Sequence, residues 1–376
     1  MINNAFGLIY ADDSNTHLKE LTAERSIAAL PFGGRYRAID FPLSNLVNTG
    51  ITNVGVITQR NYNSLMDHVG GGAPWDLHRK KDGLYLLTPF FTRENTGFYR
   101  GNVDAIRGSI DYIEKVPYEY CIFMTTKTLY NTSYEKAMLE HKASGADITF
   151  LYNIEPPDKP AGPEILEEVR FVLNERGRIV DMEIDALRPK SPNCYMDCMI
   201  LEKSLLLYLL DESAGRGYTD FIRDIVFRRL DTLKVYGFRY DDHVARVGSI
   251  SSYFRENMAL LKKEVRDDLF SPETPIYTKV KDEPPARYTC SAEVKNSMVA
   301  DGCTIEGYVE NCILFRGVRV DRGAKVRNCI LMQGSEISEG AELENVILDK
   351  GVFVRRDRRL LGTENFPVVI RKNAVV

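Results

Sequence analysis

Four copies of one nine-residue pattern run through the last quarter of the chain: Val294–Gly302, Val309–Gly317, Val326–Gly334 and Leu343–Gly351. Each reads aliphatic, polar, Asn, then a short and mostly apolar run closed two residues later by Gly. The asparagines stand at 296, 311, 328 and 345, so the intervals are 15, 17 and 17. Gly323 and Gly340 add a second register, again 17 apart. A period near 17 or 18 with aliphatics and turn residues at fixed places is a solenoid signature. Three short strands per coil stack into a parallel β-helix. One coil can bury its inward aliphatics only against its neighbours, so several copies are required.

The first ~260 residues follow a different pattern, the alternation of strands and helices that makes an α/β domain. Residues 5–11, 54–58, 121–124 and 148–152 read as buried strands. Val103, Ile106, Ile110 and Ile113 recur at helical spacing, and Ser133 is a suitable N-cap for a helix running from Tyr134 toward Lys142. Such alternation predicts a mostly parallel sheet covered by helices. Ligands then bind beyond the carboxyl ends of the strands, at the loops after Tyr10, Thr58 and Met124. The run Ser271-Pro272-Glu273-Thr274-Pro275 and the pair Pro284-Pro285 remove backbone donors and break the pattern. The expected layout is an α/β domain over 1–270, a linker over 271–287 and a β-helix over 288–376.

Composition narrows the class of function. Lys+Arg 49 against Asp+Glu 53 gives a net charge of -4 and no global basic signal for nucleic acid. No apolar stretch approaches the ~20 residues of a membrane span. The opening Met1-Ile2-Asn3-Asn4 has no basic n-region, so a cytoplasmic protein is expected. The seven cysteines are scattered without a CxxC pair, as expected of reduced thiols. Histidines stand at 17, 68, 78, 141 and 243 and none lies in the repeat, which argues against a β-helix acyltransferase with a histidine base between coils.

The segment Leu30-Pro-Phe-Gly-Gly-Arg-Tyr-Arg-Ala-Ile-Asp-Phe-Pro-Leu-Ser-Asn45 is distinctive. It closely resembles glucose-1-phosphate adenylyltransferase (ADP-glucose pyrophosphorylase). Asn48-Thr49-Gly50-Ile51, Gly55-Val56-Ile57-Thr58-Gln59, Pro74-Trp75-Asp76-Leu77 and Tyr99-Arg100-Gly101-Asn102-Val103-Asp104-Ala105-Ile106 extend the match. The resemblance covers essentially the whole chain. It implies a Rossmann-like, GT-A-like nucleotidyltransferase domain followed by a left-handed parallel β-helix.

Nucleotidyl transfer brings together two polyanions, so its site needs close backbone approach, cations and carboxylates for Mg²⁺. Here the residues depart from the family. Its glycine-rich phosphate loop corresponds to Asp12-Asp13-Ser14-Asn15-Thr16-His17-Leu18, which places side chains and negative charge where phosphates would lie. Arg25-Ser26-Ile27-Ala28 replaces a lysine with Ile27, so that a polyanion would face an aliphatic group. Lys127 and Arg246 stand in place of the two metal-binding aspartates. Asp185 replaces the sugar-phosphate lysine, and Asp197 the glycine of a Ser-Met-Gly motif.

No catalytic residue and no metal site are therefore expected in this chain. Lys127 and Arg246 are read instead as electrostatic stand-ins for the metal, pairing with the loop aspartates. Gln59, Gly101, Asn102 and Asp104 keep positions of the substrate pocket, either binding a nucleotide weakly or holding loop geometry. Arg35 and Arg37, together with Arg355 and Arg356 near the end, are candidates for an anionic effector site between the domains; ion pairs across the interface are the alternative. Trp75, after Gly70-Gly71-Gly72, is either a lid or a packed aromatic. Residues 366–370 are either a last β-helix strand or an interface strand.

The framework survives while the chemical motifs do not. That pattern is most like the non-catalytic GlgD-type subunit that accompanies a catalytic GlgC-type partner in Gram-positive bacteria. It implies a regulatory subunit in a heterotetramer for ADP-glucose synthesis, with Mg²⁺ held by the partner, no cofactor in this chain, an anionic effector, and a homo-oligomer possible for the chain alone. An active sugar-1-phosphate nucleotidyltransferase with a rebuilt site, or a stand-alone sugar-nucleotide sensor, are the alternatives.

Overall fold

The structure is a computed structural model that describes residues 2, 4–11, 17–89, 99–156 and 168–376. Nine strands form its central sheet. In chain order they are β1 (Ala5–Tyr10), β2 (Asn53–Ile57), β3 (Gly83–Leu87), β4 (Tyr120–Thr125), β5 (Ile148–Ile154), β6 (Val169–Leu173), β7 (Ile179–Ile184), β8 (Asn193–Glu202) and β9 (Val235–Arg239). Across the sheet the order is β7-β6-β8-β4-β1-β2-β3, and β5 pairs with β8 and β9. Strands β1 to β4 are parallel, as the strand–helix alternation predicts. The sheet as a whole is mixed, because β8 runs antiparallel to β4 and β5. An antiparallel neighbour can follow a hairpin such as β6–β7 without a helical crossover. β1 is buried along its length, with both faces covered.

The sheet positions the helices that matter for the sites, α1 (Asp40–Asn48) and α2 (Asn63–Val69). The apolar spacing over 103–113 emerges as two short helices, α3 (Asn102–Arg107) and α4 (Ile110–Lys115), interrupted at Gly108 and Ser109. The next helix, α5 (Glu135–Ser144), starts one residue later than the sequence reading, and Ser133 Oγ stands 3.5 Å from the Glu135 amide, a stretched cap at best. Among the described residues, no helix is long and apolar enough to cross a membrane.

The repeat folds as three five-stranded parallel sheets wound into a β-helix. Val294, Val309, Val326, Leu343 and Leu360 are register partners in successive coils. Val309, Val326 and Leu343 are buried, worth about 1.5–3 kcal/mol each relative to exposure. The invariant corners have a backbone cause. Asn296, Asn311, Asn328 and Asn345 all take φ between 39° and 52°, and Gly302, Gly317, Gly334 and Gly351 between 65° and 73°. That left-handed region is open to Gly and tolerated by Asn, so the two residue types recur wherever a coil turns. The Asn296 amide donates to Asn311 Oδ1 at 2.7 Å, and the Asn311 amide to Asn328 Oδ1 at 3.3 Å, which ties coil to coil. Residues 368–370 pair with Val346–Leu348 and thus form a strand of the last coil.

A third core joins the two parts. Phe32, Phe41, Tyr253 and Leu260 pack there with Ile313, Phe315, Ile330 and Met332 of the solenoid. Ile27 belongs to this core and is fully buried, so the expectation that it faces a ligand fails; an aliphatic side chain here gains more by turning into the junction. Beside it, Arg25 holds both carboxylate oxygens of Asp349, at 2.7 and 2.9 Å, with both residues buried. Trp75 is also buried, set edge-on against His68, and is a packed aromatic. The seven cysteines are free thiols, Cys290 alone being exposed.

Candidate functional site

Two clefts collect part of the candidate residues; Asp104, Arg246, Arg355 and Arg356 line neither. The larger, of about 500 Å³, lies at the carboxyl ends of the parallel strands. Tyr10 ends β1, Gln59 and Arg60 follow β2, and Thr125 and Lys127 close β4. The strand end at Tyr10 and the segments after Thr58 and Met124 thus meet at one place. Of the altered phosphate loop, residues 12–16 lie outside the described residues; only His17 and Leu18 are seen, Leu18 buried in the junction core.

The four retained motif residues are occupied with their own chain. Gln59 Nε2 donates to the Tyr99 carbonyl at 2.9 Å. Asn102 Oδ1 accepts from the Phe221 amide at 2.7 Å, and its amide donates to Asp220 Oδ2 at 3.3 Å. A Cβ on Gly101 would sit 2.2 Å from the Thr219 carbonyl oxygen, so only glycine lets these backbones approach. Arg100 Nε donates to Asp104 at 2.7 Å. Burial disfavours ionising Asp104, yet the hydrogen bonds from Arg100 hold its carboxyl below the usual range. The motif latches the loop before α3 to the turn at 219–221.

The substituted positions are neutralised in the same way. Arg246 donates to Asn153 Oδ1 at 2.6 Å and to Glu155 Oε1 at 3.0 Å. Asp185, at φ 53°, is paired with Arg223, and Asp197 accepts from the Thr128 hydroxyl at 2.5 Å. The lining residues carry four cations (Arg60, Arg100, Lys127, Arg223) and three carboxylates (Asp185, Asp197, Asp220). Among the described residues, no cluster of three or more His, Cys, Asp or Glu could hold a metal ion.

The second cleft opens where the solenoid meets the α/β domain. Arg35, Arg37, Lys279, Lys281, Arg316 and Lys350 line it, and no carboxylate does. Arg37 is held by the Ser64 carbonyl at 2.5 Å and the Ser64 hydroxyl at 3.0 Å, at the start of α2. Arg35 reaches Asp301 at 3.3 Å, an exposed pair of small worth. Arg316 is only 7% exposed, and among the described residues its Nε and Nη2 have no hydrogen-bond partner. Burying such donors unsatisfied costs about 1–3 kcal/mol, more for a charged group. Burial, then repulsion from Arg37 and Arg25, brings Lys350 down to about 7. His68, tied to Asp40 at 2.5 Å, is lowered by burial against the pull of that carboxylate.

Arg35 and Arg37 therefore meet in this cleft, while Arg355 and Arg356 do not line it. Arg356 stacks over Glu339, 3.4 Å away, at a different corner of the coil. The cations that sequence reasoning missed sit in a readable register. The residues just before the corner glycines are Asp301, Arg316, Gln333 and Lys350, one column of the stack, and it faces the cleft. The linker lysines Lys279 and Lys281 arrive by tertiary folding, Lys279 being held by Asp67.

A mixed-sheet α/β domain with its cleft at the ends of its parallel strands, carrying a stacked-coil β-helix, is the architecture of the nucleotidyltransferase class. Residues 7–263 match the nucleotidyl transferase family, and residues 284–365 the GlmU-like C-terminal hexapeptide family, whose coils form the left-handed β-helix. The chain is 36% identical to the glycogen biosynthesis protein GlgD of Bacillus subtilis, over 99% of this chain and 97% of that protein. It is 38% identical to GlgD of Geobacillus stearothermophilus, over 100% and 98%. It is also 33% identical to the glucose-1-phosphate adenylyltransferase of Thermosipho africanus, over 87% of this chain and 78% of that one. The chain belongs to the family that these GlgD proteins and glucose-1-phosphate adenylyltransferases form.

Proposed function

We propose that the chain is a regulatory, catalytically impaired subunit of glucose-1-phosphate adenylyltransferase. It acts in the cytoplasm, assembles with a catalytic GlgC-type subunit into a heterotetramer, and supports ADP-glucose synthesis from ATP and glucose 1-phosphate for glycogen. The observation that carries this reading is the charge at two positions, Lys127 on the lining of the strand-end cleft and Arg246, which does not line it. Lys127 and Arg246 stand where the family's metal aspartates are expected, and Arg246 is tied to Asn153 and Glu155. A cation in place of a carboxylate opposes Mg²⁺ by two charge units, and each missing transition-state contact costs about 10²–10³ in rate. The partner subunit supplies the Mg²⁺ site.

Regulation is assigned to the second cleft, as a site for phosphate, sulfate or the phosphoryl group of a sugar phosphate. Its volume is about 40 Å³, where one water needs roughly 10–15 Å³. A single tetrahedral group fits this space, and a nucleotide does not. Bound there, an anion would satisfy Arg316 and join the domain to the solenoid, so occupancy is felt at the surface offered to other subunits.

One assay tests the proposal: ADP-glucose formation from ATP, glucose 1-phosphate and Mg²⁺, by the chain alone, by the catalytic subunit alone and by the mixture. Enhanced or differently regulated turnover in a mixed oligomer is expected. Vigorous Mg²⁺-dependent turnover by the isolated chain refutes it. If no mixed oligomer forms and the mixture matches the catalytic subunit, the sensor reading replaces it, for which the open volume of the first cleft is the supporting observation.

A further inference from the structure

The second cleft concentrates charge in a way that ion pairing does not relieve. Lys350 enters it from the fourth copy of the repeat, above Gln333 and Arg316 of the coils beneath. Arg37 and Lys281 line it from the segment before α1 and from the linker, and both repel the Lys350 charge, as does Arg25 beside the junction core. Asp349, its neighbour in sequence, is a carboxylate that acts on Lys350, but Arg25 holds both of its oxygens. Arg35 and Lys279 have carboxylates of their own, Asp301 and Asp67. His68 looks in from α2 but is committed to Asp40. Arginines cannot shed their protons in this range, so a lysine is where the crowding can be relieved.

We infer that anion binding at this cleft is coupled to proton uptake by Lys350, which releases its proton to solvent under the repulsion of its cationic neighbours and regains one from solvent when a tetrahedral dianion enters. This rests on the reading of the cleft as an anion site and adds its regulation: the bound effector reports pH as well as concentration. The Lys350 pKa of about 7 places the exchange in the physiological range. The sign follows. Above pH 7 the unliganded lysine is neutral, so binding must take up a proton and weakens as pH rises. Below pH 7 the lysine is already charged, and affinity levels off.

Sulfate is the appropriate probe, because it does not itself titrate between pH 6 and 9. Its binding to the full-length chain is measured by isothermal titration calorimetry at fixed ionic strength, in buffer pairs of different ionisation enthalpy. In the native chain the Kd should weaken by up to about tenfold per pH unit above pH 7, with uptake approaching one proton per sulfate near pH 8. K350R keeps a permanent charge and should bind with little pH dependence; K350M should bind weakly at every pH. Sulfate binding that is flat with pH in the native chain overturns the coupling and leaves the anion site standing. An undiminished pH dependence in K350R shows that another group takes the proton and also overturns it. Absence of sulfate binding from pH 6 to 9 overturns both the coupling and the anion site.

Discussion

The two clefts of this molecule hold similar numbers of cations and opposite arrangements of them. At the strand ends, four cations share the lining with three carboxylates, and Arg100 and Arg223 are matched within the chain. At the domain junction six cations line the wall; Arg35 and Lys279 reach Asp301 and Asp67, which lie off the lining, and among the described residues Arg316 is buried with donors unsatisfied. A cation already paired gains little from a second anion, whereas one held apart from any partner gains the whole interaction. Pairing rather than count therefore decides where this protein would hold an anion.

The comparison breaks most visibly if the strand-end cleft still works. Turnover by the isolated chain should lie at least about 10⁴-fold below that of the mixed oligomer, since two or more transition-state contacts are missing at about 10²–10³ each. Steady-state ADP-glucose formation measures it. The junction is tested next by D349N, which leaves Arg25 buried without its counter-ion and should cost about 3–5 kcal/mol in urea unfolding. The native chain should gain about 2.7 kcal/mol of stability in sulfate at a hundred times its Kd. R316M should lose most of that gain, and in sulfate-free buffer should match or exceed the native melting temperature.

Smaller effects sharpen the picture. G101A forces a methyl group against the Thr219 carbonyl and should cost about 1–3 kcal/mol. A neutral result would show that the motif is not a latch, and would reopen a ligand role for Gly101 and Asn102. The last is a slope of up to about 1.4 kcal/mol per pH unit. Lys350 titrates at about 7 folded against 10.5 as its reference. Between those values the unfolded chain binds more protons, so stability from this group rises as pH goes from 7 toward 10. K350M should remove that rise, seen as urea midpoints compared at pH 7 and pH 9.

Much of the fold could be read from local signals, for reasons visible in single residues. Asn311 and Gly317 fall where a coil must turn through positive φ, and few other residues enter that region cheaply. The aliphatic runs of β1 and β4 are apolar because both of their faces are covered. The mixed character of the sheet escaped, since nothing in β8 by itself reveals its direction relative to β4. Ile27 was misplaced for a similar reason: a single substitution shows what was lost at a site, and its burial shows where the new side chain found partners.

The sequence by itself determined the two architectures and the presence of Lys127, Arg246, Arg35 and Arg37. It also held, unread, the column of residues before the corner glycines that carries Arg316 and Lys350. Only the tertiary structure decided that this column faces Arg37 and the linker lysines, that Arg356 turns to another corner, and that Gly101 and Asn102 hold a loop. Periodicity fixes which residues share a face of the solenoid. Which face meets the other domain depends on the junction core, where Phe32 and Phe41 pack against Phe315 and Met332, and such long-range packing has no local signature.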